Sequence, residues 1–276
     1  YSYTAGGYGQ GYRKVASSND KLFFRLDYNL SPKHRLTLRH NYVKGNQDNR
    51  PSAASATKFA FADNYYTLNN KTNSTVLQLQ SNLSKSLFNE LTVNYTTIRD
   101  IRDTNWEKPF PHIAVQIKNN YFLMAGTEQY SAANGLNQDI LELTDNLTFY
   151  KGKHTITVGT HNEFFNFANL YIRNYYGYWE FNSLDDFENG VSSRYYHDYY
   201  ASNPKEKWAA KFGVAQLGVN AGDSWAVMPN LNLTLGLRLD VPIINDLPAA
   251  NPVVEQVFGI KTDQAASGNL LFSPRI

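Results

Sequence analysis

The 276-residue chain contains no cysteine and only two methionines. Without thiols there is no disulfide framework, no thiolate nucleophile and no cysteine metal site. Charge bias is missing as well: 26 Lys and Arg stand against 24 Asp and Glu. No basic footprint therefore points to nucleic acid. Nowhere does an apolar run approach the roughly eighteen residues of a membrane-crossing helix. Mean hydropathy is negative. A membrane strand escapes that test, because it needs only about ten residues and half of them face water. Enzyme signatures are absent too, with no HExxH, nucleophile elbow, GxGxxG or P-loop. The six histidines, His34, His40, His112, His154, His161 and His197, scatter over expected turns, strands and loops. No catalytic residue, cofactor or metal site is expected, and a composite His–Asp–Ser site is the remaining enzymatic alternative.

What the chain does have is alternation. Leu22, Phe24, Leu26, Tyr28 and Leu30 interleave with Lys21, Arg25, Asp27 and Asn29, apart from Phe23. A period of two gives a strand one apolar and one hydrated face. The pattern predicts four hairpins: 21–30 with 35–44, 73–84 with 90–102, 140–150 with 155–167, and 208–227 with 231–241. The cleanest member sets Leu231, Leu233, Leu235, Leu237 and Leu239 against Asn232, Thr234, Gly236, Arg238 and Asp240. A ninth strand is expected near Asn269. Short turns alternate with long connections at 45–72, 103–139, 168–207 and 242–267. This is the habit of outer-membrane barrels, short turns periplasmic and long loops extracellular. The fold expected over 1–276 is all-β, an antiparallel up-and-down transmembrane barrel segment of about nine strands. The first residues carry no leader pattern and Phe272 to Ile276 reads as the start of a strand, so the chain is expected to be part of something longer.

Aromatics make up 14% of the chain. Tyr28, Phe88, Phe149 and Trp225 fall within a few residues of short turns, where an interfacial girdle belongs. The third long connection concentrates Tyr175, Tyr176, Tyr178, Trp179, Tyr195, Tyr196, Tyr199 and Tyr200. Rigid amphipathic rings suit ligand capture; the plainer reading is packing within the loop or aromatic cross-strand pairs. Ser183 before Asp186 and Asn251-Pro252 before Gly259 predict two short capped helices. The Asn-x-Ser/Thr triplets, including those at Asn82, Asn94, Asn146 and Asn232, fit a water-facing strand surface better than glycosylation. Asp145 and Asp223 carry the parity of the outward leucines, and a β-bulge near Asp145 would shift it off the lipid face.

Gly222-Asp223-Ser224-Trp225, then Val227-Met228-Pro229-Asn230-Leu231, then Leu235-Gly236-Leu237-Arg238-Leu239-Asp240 resembles the strand–turn–strand of TonB-dependent receptors. Leu143 to Thr148 with Gly152, His154-Thr155 and Val158-Gly159, and Phe181 to Phe187, are similar to their Oar-like branch. The resemblance implies a barrel of about twenty-two strands closed by a plug. It also implies import of a scarce nutrient, with the TonB complex engaged through a plug domain outside this chain. Outer-membrane lipid and an unknown nutrient are the other expected partners. The lumen would be lined by residues such as Asn94, Thr234 and Arg238. The alternatives are a passive porin or loop-displaying adhesin, and a soluble carbohydrate-binding β-sandwich with Leu233, Leu235 and Leu237 in a dry core.

Overall fold

A computed structural model describes residues 15–50, 55–104, 110–199 and 209–276. Its strands, in chain order, begin with β1 (Ser17–Ser31), β2 (His34–Asn49), β3 (Lys58–Ala60), β4 (Tyr66–Ser84) and β5 (Leu87–Asp103). Then come β6 (His112–Lys118), β7 (Tyr121–Ala125), β8 (Ala133–Lys151), β9 (His154–Ile172), β10 (Tyr178–Phe181) and β11 (Arg194–Tyr196). The last are β12 (Ala210–Met228), β13 (Leu231–Ile244) and β14 (Leu271–Arg275). Two helices, α1 (Leu184–Glu188) and α2 (Pro252–Phe258), lie in the connections.

Nine strands form one sheet in the order β1-β2-β4-β5-β8-β9-β12-β13-β14. Every pairing in it is antiparallel. Each expected hairpin is present, and the strands outrun the alternation that revealed them. β4 starts at Tyr66 rather than near 73, and β8 at Ala133 rather than near 140. The hydrogen-bond ladder continues where both faces meet water, whereas hydrophobic alternation stops with the lipid.

The register sorts the two faces. One transverse row reads Leu26, Leu38, Leu77, Val93, Leu143, Asn162, Leu217 and Val241. The adjacent row, on the opposite face, reads Asp27, Thr37, Gln78, Thr92, Thr144, His161, Gly218 and Asp240. Leucines on the first face stand in the open: Leu26 is 54% exposed, Leu77 43% and Leu237 44%. They are not sealed between two sheets, which removes the soluble sandwich.

The outward apolar band has a definite height. Tyr42 lies eight residues from the short-turn end of its strand (His34), and Leu141, Phe164 and Val241 lie ten from theirs (Lys151, His154 and Leu231). Ten residues are about 33 Å of strand, or about 25 Å along the membrane normal at a tilt near 40°. That matches the apolar belt of an outer-membrane barrel.

The long connections depart from expectation. Three of them contribute strands to a second sheet, ordered β11-β10-β6-β7-β3. Two of its pairings, β10 with β6 and β3 with β7, are parallel and join segments far apart in sequence. Both expected helices are present. Ser183 Oγ caps α1 by accepting from Asp186 N at 3.0 Å. Asn251 Oδ1 caps α2, which ends at Gly259 with φ of 67°. No bulge moves Asp145 off the lipid face, because β8 keeps an unbroken register with both neighbours. In the wall sheet the register shifts fall beside the short turns, at Asn29/Ser31, Asn82/Ser84 and Ala226/Met228.

Candidate functional site in the loop cap and the wall

The second sheet forms a cap at the end of the wall from which the long connections leave. Its centre is the hairpin β6–β7, turning at Asn119-Asn120, with Asn120 at φ of 60°. Ala114, Val115, Met124 and Phe181 supply a small buried apolar core. The fully buried side chains around it are polar: His112, Glu128, Asn64 and Ser131. Asn64 Nδ2 donates to Gly126 O at 2.9 Å and lies 3.0 Å from His112 Nδ1. Gly126 cannot be replaced there. Its φ is 80°, and a Cβ would lie 1.9 Å from Pro111 O. The His112 ring stacks on Tyr178 at 5.1 Å and 7°, and its backbone N–H donates to Gly177 O at 2.9 Å.

These contacts tie three connections together. Phe61 N donates to Met124 O, and Asn174 N to Gln129 O, each at 2.8 Å. Burial pushes the His112 imidazole down to about 4, so the ring is neutral at pH 7; Nδ1 stands between the Asn64 amide, from which one tautomer accepts, and Thr127 O at 3.2 Å, to which the other donates. Burial pushes the Asp63 carboxyl up to about 6, against opposing backbone hydrogen bonds. The Tyr178 phenol is raised by burial, then by its donation to Glu180 Oε2 at 2.7 Å.

The aromatic residues singled out from sequence split between core and rim. Tyr178 and Trp179 lie on β10 opposite Tyr196 and Tyr195 of β11. Trp179 and Tyr195 rings are 4.3 Å apart, and Tyr178 and Tyr196 5.7 Å. Tyr175 packs edge-on against Tyr176 at 4.9 Å. Tyr195, Tyr196 and Tyr199 remain exposed, Tyr199 by 73%. Beside them an open recess is lined by Tyr171, Ile172, Arg173, Asp198 and Tyr199. Tyr200 lies outside the described residues. His112 and Asn64 carry no motif of their own. Only the hairpin that begins at His112 has a sequence signal, the Asn119-Asn120 turn between the stretches around Val115 and Phe122.

On the wall, Tyr28, Phe149 and Trp225 share the outward face near the short turns. Phe88 does not. It lies opposite Asn82 and Thr148 on the hydrated face, because β5 already includes it and Leu91 and Val93 put the odd-numbered residues outward. Asp223 is outward at turn height, its Oδ2 paired with His154 Nδ1 at 2.6 Å and its Oδ1 without a partner among the described residues, with Trp225 stacked on His154. Asp145 stays on the lipid face, accepting from Asn89 Nδ2 at 2.6 Å. The hydrated face carries paired charges: Arg25 and Arg35 on Asp27, and Arg238 on Asp240 at 2.7 Å. Asn94, Thr234 and Arg238 all lie on this side. Gly218 leaves room for the last pair, since a Cβ would sit 2.5 Å from Asp240 Oδ1. Among the described residues no cluster of His, Asp and Glu is arranged to hold a metal ion.

Solved structures share this architecture. The outer-membrane transporter YddB of Escherichia coli superposes with a TM-score of 0.56 at 14% identity, over 93% of this chain and 28% of its own. The copper transporter OprC gives 0.53 at 12% identity, over 94% and 33%. The open form of the ferric-catecholate import receptor Fiu from E. coli K12 gives 0.50 at 14% identity, over 94% and 42%. The chain thus spans about a third of the length of these transporters, and the likeness is one of fold. Comparison with curated proteins by sequence gave no match. The expected wall of an outer-membrane barrel is met at the level of fold. A family model described as an outer membrane beta barrel domain matches residues 4–251, and this chain, with its lipid-facing leucine rows and hydrated inner face, belongs to that family.

Proposed function

We propose that the chain is part of the barrel of a TonB-dependent outer-membrane transporter that binds and imports a scarce nutrient. The plug, the TonB-contacting segment and the remaining strands belong to other parts of the same protein. Support for a partial barrel comes from the share of the similar transporters that it covers, 28–42%. Nine strands would make up a fraction of a barrel of about twenty-two. Ligand capture falls to the exposed rim of the cap, Tyr195, Tyr196 and Tyr199, with the half-buried Trp179 ring against Tyr195. The inner face with its Arg–Asp pairs lines the path. Tyr28, Phe149 and Trp225 anchor the wall at the periplasmic interface.

The observation that carries this reading is the joining of three long connections into one cap with an aromatic edge strand. A rigid scaffold that presents loop residues in this way is suited to binding. The test is complementation of a deletion strain on a panel of limiting nutrients, using the whole protein and a Y195A/Y196A/Y199A variant. Growth that needs both TonB and the three tyrosines, with heat-modifiable migration retained, supports capture and import. Growth independent of TonB would instead favour the passive porin. Unchanged uptake by the variant would end the role of the tyrosine rim.

A further inference from the structure

The outward face carries an unusual run of charge at the upper edge of the apolar band. Lys44 on β2 is the register partner of Lys71 on β4, and Lys71 is the partner of Arg99 on β5. Like charges directly opposite on one sheet face are destabilising unless something neutralises them. Two carboxylates stand nearby. Asp139 accepts from Arg99, and Asp20 lies opposite Lys44 on β1. Lys44 and Lys71 are both exposed, and among the described residues neither forms an ion pair. Lys71 Nζ instead lies over the Tyr42 ring, 5.8 Å from its centroid.

Position decides what the cations meet. Tyr42 and Lys44 are two apart on one strand, so they share the face that carries Leu36 and Leu38. Lys44 is ten residues from His34, Arg99 twelve from Leu87 and Lys71 thirteen from Ser84. At about 3.3 Å per residue and a tilt near 40°, they stand roughly 25 to 33 Å above the short turns. The apolar belt is about 25 Å tall. The three cations therefore reach the headgroup layer of the outer leaflet, on the lipid side and not in the lumen.

We propose that Lys44, Lys71 and Arg99 form a docking site for the phosphate groups of an anionic outer-leaflet glycolipid. Phosphate supplies the counter-charge that Asp20 and Asp139 only partly provide. It accepts charge-assisted hydrogen bonds from both ammonium groups at once. Asn73 and Thr97, on the same face one row below, offer polar groups to the sugar.

The test uses the whole protein in nanodiscs holding either bisphosphorylated lipid A or its dephosphorylated form, with native mass spectrometry counting retained lipid. The wild type should prefer the bisphosphorylated lipid. K44Q/K71Q should bind it roughly thirtyfold more weakly, from about 1 kcal/mol per lysine beside an anionic surface. K44R/K71R should keep the preference, and K33Q at a short turn should leave it unchanged. Equal retention by wild type and K44Q/K71Q, or no preference for the phosphates, overturns the proposal. So does competition by millimolar inorganic phosphate as effective as the lipid, which would make the site one for free anions. Should the double variant fail to assemble, K44Q and K71Q singly must each lower the preference, and an unchanged preference in both refutes it.

Discussion

The wall and the cap are both β-sheets made by the same chain, yet they are held together in opposite ways. The wall joins chain neighbours, antiparallel throughout, and exposes its leucines because lipid is their solvent. The cap joins distant segments, includes parallel pairings, and closes over His112, Asn64, Glu128 and Ser131. In the wall, specificity comes from the parity of each residue relative to a bilayer. In the cap it comes from a buried polar network, where each donor needs its partner because water is excluded. One region tolerates polar change on one face only, and the other tolerates little at its centre.

The sharpest way to break that contrast is a pair of neighbouring substitutions. Leu77→Arg places a cation on the lipid face and is expected to cost about 2–4 kcal/mol near the bilayer midplane. Gln78→Arg, one residue on and facing the lumen, is expected to cost under about 1 kcal/mol. Denaturant titration in lipid vesicles reads both, and equal costs would remove the assignment of faces. In the cap, His112→Ala leaves the Asn64 amide short of an acceptor and a void beneath Tyr178, for a loss of about 3 kcal/mol. Hydrogen exchange should then accelerate together in 58–64, 112–127 and 174–181, with the wall strands unchanged. Independent exchange in the three segments would show that the cap is not one unit.

Acidification sharpens the comparison next. The imidazole of His112 is held low, so its contribution is intact above its ordinary value near 6.5 and is lost as pH falls toward about 4. The carboxyl of Asp63 is held high, so its contribution is intact below its ordinary value near 3.8 and is lost as pH rises through about 6. Over the shared window the two slopes oppose, and cap exchange in the wild type should vary little. D63N removes the compensating slope, so its cap should weaken by on the order of 2–3 kcal/mol between pH 6.5 and 4. A flat D63N profile would show that His112 is not held in its neutral form. The smallest effect belongs to the wall. Asp145→Asn keeps a partner for Asn89 but removes a charge from the lipid face, and should stabilise the assembled barrel by about 1 kcal/mol. A clear loss on the same vesicle titration would mean that the ionised carboxylate is needed there.

Legibility followed the range of the interactions. The hairpin from Ala210 to Ile244 was readable from Leu231 to Asp240 alone, because one alternating strand announces its faces and its turn announces its partner. Ser183 and Asn251 were readable as caps for the same local reason. β6 and β7 were also within reach through Asn119-Asn120, but a long connection in an outer-membrane pattern invites a loop assignment. Phe88 lies inside β5 on the parity opposite to Leu91 and Val93, so its closeness to a turn did not give its face. Nothing local marks His112 as the buried centre of three loops, since its partners Asn64 and Tyr178 come from connections on either side of it in the sequence.

By itself the sequence determined the wall: hydrophobic parity within ten-residue stretches dictates which side meets lipid and which meets water, and short turns leave each strand one neighbour to pair with. Only the tertiary structure decided the cap and the row of Lys44, Lys71 and Arg99, because both depend on register between strands that no local pattern encodes.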